Sequence, residues 1–177
     1  MKLKTIKIIS IIGIFLLSFL SHFLYQIIPN VLASIFFPVN ESIWEHMKIL
    51  STSIIIYGII DYILLKKNNI EFNNFKSQLF FTSFITIPIY LIIYLPIYNL
   101  IGENLFVSIL IMLIVYCIIA YISYKMLVSE DFKLFNMASV YLIIIMYFIF
   151  TYLTYFPIHN YIFFDTTENK YGINEYE

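Results

Sequence analysis

The sequence has no arginine and little charge of either sign. Ten lysines supply the basic side chains other than histidine, charged residues make up 12% of the 177-residue chain, and the formal net charge is −1. Nucleic-acid-binding surfaces need clustered basic residues, and bidentate recognition of phosphate needs a guanidinium group. The composition therefore predicts no nucleic-acid partner.

Cysteine and glycine are scarce as well. The single cysteine, Cys117, lies in an apolar run, which excludes an intramolecular disulfide and a cysteine-based zinc site. The four glycines are too widely spaced to form a G-x-x-x-G helix-packing motif. Neither covalent cross-links nor glycine-mediated helix pairing is expected to hold this chain together.

Apolar residues, by contrast, are in large excess. They make up 62% of the chain, against roughly 45–50% in an ordinary globular protein, and the mean hydropathy is +0.90. A water-soluble domain of this size could not bury so much apolar surface. The composition therefore indicates an integral membrane protein in a lipid bilayer.

The apolar runs predict the number of membrane spans. A helix needs about 20 apolar residues to cross a hydrocarbon core roughly 30 Å thick. A further apolar piece at 31–39 is too short to cross and is predicted to be interfacial or re-entrant. We predict an all-α, polytopic helix bundle, a single membrane domain over residues 1–177. Its five transmembrane helices are expected at residues 8–28, 47–65, 79–97, 105–124 and 137–156.

The lysines predict the orientation of the bundle. Eight of the ten precede the first span or follow the second or fourth, and only Lys48 and Lys170 fall on the other side. The positive-inside rule then places the N-terminus in the cytoplasm and the C-terminus outside the cell membrane. The first apolar run exceeds the usual 7–15 residues of a signal peptide, which favours an uncleaved anchor.

With this topology, all three histidines lie on the outer side. His22, His46 and His159 come from three different helices or their ends, and Asp165 follows closely after His159. Three protein ligands plus water is the pattern of a catalytic zinc site. We therefore predict these four residues as candidate ligands of a divalent metal such as zinc. The catalytic candidates are Glu45, as general base, and Glu41.

Residues 38–48 form the densest polar motif, and they have a structural interpretation as well. Asn40 could cap the following helix, or Ser42 and Glu45 could form a capping box. This interpretation does not explain the crowding of charge at a membrane entry point. The spacing i, i+3, i+4 and i+7 predicts one helical stripe of Glu41, Trp44, Glu45 and Lys48.

The sequence also allows predictions for Asp61 and for the C-terminal tail. Asp61, near the inner end of the second span, is expected to pair loosely with Lys66 and Lys67 at the interface. The outward-facing tail, residues 158–177, contains an apolar run at 161–164 that is too short to cross the membrane. We expect this tail to fold back over the outer mouth of the bundle, carrying His159 and Asp165 toward His46.

Residues 21–25, 38–48 and 156–172 carry a resemblance to a known family. The chain resembles a family of small uncharacterised bacterial polytopic membrane proteins, a domain of unknown function with a PVNES-x-WEH-x-K motif. Its members tend to have two prolines before the tail histidine, where this chain has Pro157 and Ile158. The resemblance implies a membrane location and no particular chemistry.

Three functions are compatible with these features. The first is a metal-assisted membrane hydrolase acting at the outer leaflet. The second is a protein that binds or transports a small cation or amine through Glu41, Glu45 and His46, although the chain shows no internal repeat of the kind many transporters carry. The third is an accessory membrane subunit that covers the polar stripe with a partner.

Overall fold

A computed structural model describes residues 1–173 and the backbone of residues 175 and 176. Within the predicted tail, residues 158–177, only residues 174 and 177 and the side chains of 175 and 176 lie outside the described residues. Three two-residue strands pair in the antiparallel order β1-β2-β3 at the end of the chain. The helices are α1 (Leu3–Ile27), α2 (Val31–Phe36), α3 (Ile43–Lys67), α4 (Phe75–Ile101), α5 (Leu105–Leu127) and α6 (Lys133–Tyr155), and the strands are β1 (Phe164–Asp165), β2 (Lys170–Tyr171) and β3 (Glu175–Tyr176).

Five of the helices are long and apolar enough to cross a membrane. They contain 23 to 27 residues, which at 1.5 Å per residue gives about 35–40 Å, and their ends lie within a few residues of the predicted span ends. The short helix α2 occupies the segment predicted to be interfacial, and the Asn30 side chain caps it by accepting from the Ala33 amide at 2.8 Å. The predicted all-α fold, with five helices long and apolar enough to span a membrane, is confirmed.

Helix α3 is the central element of the bundle. Of its most apolar stretch, 61% is buried, against 22–28% for the other four long helices, and it packs on α1 and α4. Hydroxyl groups mediate part of this packing. Ser51 donates to the Ser83 carbonyl at 2.9 Å, and Thr52 donates to the Phe36 carbonyl at 2.8 Å. Ser51 and Thr52 of α3 are therefore buried against protein.

Most of the lysines and the three histidines lie at opposite ends of the bundle. At one end, the Met1 amine donates to Asn68, and the Asn74 side chain joins the α3–α4 and α5–α6 loops by donating to the Glu130 carbonyl and accepting from the Phe132 amide. Eight lysines lie at this lysine end: Lys2, Lys4, Lys7, Lys66, Lys67, Lys76, Lys125 and Lys133. The opposite, histidine end carries His22, His46 and His159.

The structure corrects the predicted environment of Asp61. Its carboxylate is buried and pairs with Lys7 of α1, Nζ to Oδ2 at 2.6 Å, while the Ser10 hydroxyl donates to Oδ1 at 2.6 Å. The expected pairing with Lys66 and Lys67 was wrong because Asp61 faces α1, and the sequence does not reveal the rotation of α3 about its axis.

Candidate metal centre

The motif at residues 38–48 builds the start of α3. Ser42 is the N-cap residue, and its hydroxyl accepts from the Glu45 amide at 3.3 Å. Helix α3 begins at Ile43, so Glu41 lies in the preceding loop, and the predicted helical stripe was wrong for that residue. In a complete capping box, the Glu45 carboxylate would accept from the Ser42 amide. It accepts instead from the Val39 amide at 3.0 Å, so only half of the box is formed.

Contacts from the C-terminal tail hold the loop before α3. The Glu41 amide donates to Asp165 Oδ2 at 2.9 Å, and the Asn40 side chain donates to the Gly172 carbonyl at 2.8 Å. Asn40 also accepts from the Ser42 amide at 2.9 Å. Since Asp165 is completely buried, the Glu41 amide is held by a side chain that is enclosed by protein.

Three of the predicted site residues meet at the histidine end. Oε2 of Glu41 lies 3.5 Å from Nε2 of His46 and 3.7 Å from Nε2 of His22. One ligand atom from each residue falls within 4.8 Å of the others, and all three side chains are half-buried. We call His22, Glu41 and His46 the open cluster. Helix α1, the α2–α3 loop and helix α3 each contribute one residue to it.

The ring of His46 has a defined tautomer. Its Nδ1 lies 2.8 Å from the Ser42 carbonyl, which can only accept, so Nδ1 carries the proton. In the neutral ring, Nε2 then presents a lone pair to the Glu41 carboxylate. Two acceptors this close repel each other unless a hydrogen atom or a metal ion lies between them. A proton, a bridging water or a metal ion would relieve this repulsion.

The donor types and two of the three ligand spacings suit a metal ion. Bonds of 2.0–2.1 Å in tetrahedral geometry place ligand atoms roughly 3.3 Å apart, and the two nitrogen-to-oxygen distances exceed this by only a few tenths of an ångström. The carbonyl bonded to His46 Nδ1 is the usual second partner of a metal-bound histidine. The buried Nδ1 of His22 has no hydrogen-bond partner among the described residues, and the ring contacts Glu41 through Nε2 and packs edge-on against Phe23.

Glu45 lies outside the open cluster, in a neighbouring one that is completely buried. Its Oε2 pairs with Lys48 Nζ at 2.7 Å, and its Oε1 accepts from the Thr154 hydroxyl at 2.7 Å. Lys48 Nζ also donates to the Ser34 carbonyl at 2.8 Å and lies 2.5 Å from the Thr154 hydroxyl. We call Glu45, Lys48 and Thr154 the closed cluster. Sequence reasoning missed Thr154, because nothing in α6 distinguishes it from other membrane threonines.

His159 and Asp165 also lie outside the open cluster. The His159 ring stacks on Tyr171, with ring centroids 4.4 Å apart and planes 15° apart. Asp165 accepts backbone amides with both oxygens, Oδ1 from Thr167 at 2.7 Å and Oδ2 from Glu41. Asp165 therefore contacts the backbone of a candidate ligand and not the position where the three ligand atoms converge.

The tail packs on the start of α3. The Trp44 amide donates to the Ile162 carbonyl at 2.9 Å, and the Trp44 ring stacks on Phe163 with centroids 4.9 Å apart. The Ile173 amide donates to the Thr154 carbonyl at 3.1 Å. Together with the bond from the Glu41 amide to Asp165, these contacts connect the tail to both polar clusters.

A family model matches residues 1–173 of this chain, and its description is a family of unknown function, DUF6512. The match covers almost the whole sequence, so the chain belongs to this family. No curated protein and no solved structure matches it.

Proposed function

We propose that this DUF6512 protein is a membrane metalloprotein in which His22, Glu41 and His46 bind a divalent transition metal such as zinc and use it in hydrolysis. The observation that carries the proposal is the convergence of the three ligand atoms within 4.8 Å. The His46 tautomer supports it, since Nε2 of the neutral ring is an acceptor 3.5 Å from the Glu41 carboxylate, and a metal ion bound by both would relieve their repulsion.

The donor set indicates the chemistry. Two histidines and one glutamate are a known catalytic zinc ligand set that leaves a fourth position to water or substrate, whereas structural zinc sites use four protein ligands. Such a metal lowers the pKa of its bound water to about 7. The half-buried ligands at the end of the bundle would be within reach of water.

Within this proposal, the two glutamates have different roles. Glu41 is a metal ligand. Glu45 is 1% exposed and fully hydrogen-bonded, so it holds the loop through the Val39 amide and does not contact a substrate. Asp165 is a positioning residue that keeps Glu41 in place through its backbone.

The membrane side of the site is part of the same proposal. Eight lysines gather at the end opposite the open cluster. The positive-inside rule assigns that lysine end to the cytoplasm and therefore assigns the open cluster and the tail to the outer surface of the cell membrane.

Metal analysis of the detergent-purified protein tests the proposal. After equilibrium dialysis against zinc, elemental analysis should find one zinc per chain in the wild type and much less in His46→Ala and in the nearly isosteric Glu41→Gln. The control is His159→Ala, which should keep its zinc because His159 stacks on Tyr171. A wild type that binds no zinc would refute the proposal.

A further inference from the structure

A groove between α1 and α5 opens at the lysine end, far from the site described above. It has a volume of about 530 Å³. Lys4, Lys7 and Lys125 line its mouth, and none of the described residues that line it is acidic. The other lining residues are Ile8, Ile11, Cys117, Ala120, Tyr121 and Tyr124.

The three lysines differ in how far their charge is compensated. Lys7 is buried and neutralised by Asp61. Lys4 and Lys125 are exposed, and their Nζ atoms lie over aromatic rings, Lys4 at 5.9 Å from the Tyr124 centroid and Lys125 at 5.7 Å from the Tyr121 centroid. These rings hold two positive charges at the mouth without neutralising them. The mouth therefore has the electrostatics of an anion site.

The groove continues from this charged mouth into an apolar section. Cys117 lies eight residues before Lys125 on α5, and Ile11 lies seven residues after Lys4 on α1, which at 1.5 Å per residue is about 10–12 Å deeper. Ile8 is 61% exposed and Cys117 is also exposed, so the groove is open on its lipid side. A charged mouth with an apolar continuation matches a headgroup and the upper part of its acyl chain.

We infer that the α1–α5 groove binds an anionic phospholipid, with its phosphate between Lys4 and Lys125 and an acyl chain running along Ile11 and Cys117. A soluble anion would use only the mouth, whereas a bilayer lipid uses the whole groove. The occupant is therefore a lipid such as phosphatidylglycerol, and this inference does not depend on the metal centre. Two lysines close to an anionic lipid should favour it by at least about tenfold over a zwitterionic lipid.

The single cysteine provides the test. Cys117 is labelled with bimane in the full-length protein, which is reconstituted in phosphatidylcholine vesicles containing a small fraction of lipid with brominated acyl chains. Brominated phosphatidylglycerol should quench the label much more strongly than brominated phosphatidylcholine. Trp44, at the opposite end of the bundle, is the internal reference and should be quenched equally by both lipids.

Charge variants make the test specific. Lys4→Gln/Lys125→Gln should abolish the difference between the two brominated lipids. The matched control, Lys66→Gln/Lys67→Gln, removes the same number of charges from the same end but outside the groove, and it should keep the difference. Because the label itself fills part of the groove, lipids that co-purify with the unlabelled protein from a mixed bilayer should also be counted, and phosphatidylglycerol should be enriched at least about tenfold.

Three results would overturn the inference. The first is equal quenching by the two lipids in the wild type together with no enrichment on the unlabelled protein. The second is a preference that survives in Lys4→Gln/Lys125→Gln. The third is a preference lost equally in the Lys66→Gln/Lys67→Gln control, which would show a general attraction of the lysine end for anionic lipid.

Discussion

Glu45 and His46 are neighbours in the chain, yet they belong to clusters of opposite character. In the closed cluster, both oxygens of the Glu45 carboxylate are paired with donors, and Lys48 is completely buried. In the open cluster, two histidines face one carboxylate at 3.5 and 3.7 Å, and all three side chains are half-buried. A buried network in which every polar group has a partner is typical of a structural role. A network near water in which some polar groups lack a partner is typical of a binding site.

The largest expected effect comes from breaking the ion pair of the closed cluster. Lys48→Met leaves the Glu45 carboxylate buried without its cation, which should cost about 3–5 kcal/mol of unfolding free energy. Reversible denaturation of the protein in detergent micelles measures this loss.

A double variant separates charge from packing in the closed cluster. Glu45→Gln/Lys48→Met removes both charges and retains an acceptor for the Val39 amide, so it should recover most of the lost stability and bind zinc like the wild type. A loss below about 1 kcal/mol in Lys48→Met would show that the closed cluster is not a structural element.

The next effect concerns the tail that connects the two clusters. Gly172 has a φ of +54°, and a Cβ at this position would lie 2.3 Å from the Thr154 carbonyl oxygen. Gly172→Ala should cost at least about 2 kcal/mol in backbone strain and displaced contacts. Limited proteolysis should then cut the tail much faster than in the wild type.

Gly102 provides a matched control for this experiment. It also has a positive φ, +74°, but a Cβ at that position would have no atom within 4 Å beyond its chain neighbours. Gly102→Ala should therefore bring backbone strain without displacing the tail. If both variants exposed the tail equally, the contact between Gly172 and Thr154 would not be what holds it.

A smaller effect is expected at the lysine end, where the Lys7–Asp61 pair is buried like the closed cluster. Lys7 is 6% exposed and lies in the first two turns of α1, and Asp61 would keep its bond from Ser10. Lys7→Met should cost about 1–2 kcal/mol, between the values of exposed and buried pairs. The same denaturation experiment measures it. If the loss equalled that of Lys48→Met, an unpaired Asp61 would cost as much as an unpaired Glu45, and the position of Lys7 near the start of α1 would make no difference.

The smallest effect is on the open cluster itself and depends on the proposed metal. Asp165→Asn weakens the acceptor that holds the Glu41 amide, so zinc affinity should fall about tenfold, as for other residues that support a metal ligand. Competition with a chelator measures this change. Glu168→Gln, whose side chain is 56% exposed, is the control and should bind zinc like the wild type. An unchanged affinity in Asp165→Asn would show that Asp165 does not support the metal ligand Glu41.

Parts of this arrangement were predictable from the sequence. The apolar runs predicted the five long helices and the short segment α2, because length and hydropathy alone decide whether a helix can cross a bilayer. The positions of the lysines and histidines along these helices predicted their separation between the two ends. Ser42 was one of two predicted caps, and the structure selects it.

The polar partners were not predictable in the same way. Nothing in the sequence indicates that Lys7 faces Asp61 or that Lys48 faces Thr154, since each pair joins two helices whose rotations are unknown. The motif spacing even suggested a wrong neighbour for Glu41, because it assumed that the helix starts before that residue, whereas α3 begins at Ile43.

The sequence by itself determined that this chain forms helices long and apolar enough to cross a membrane, how many it forms, and which charges gather at each end. Only the tertiary structure decided that Glu41 meets His22 and His46, while Glu45 is enclosed with Lys48 and Thr154. The physical reason is that lipid is as apolar as the helix surfaces, so hydropathy places a helix in the bilayer without choosing which face turns inward. That choice depends on side chains from several helices meeting at once.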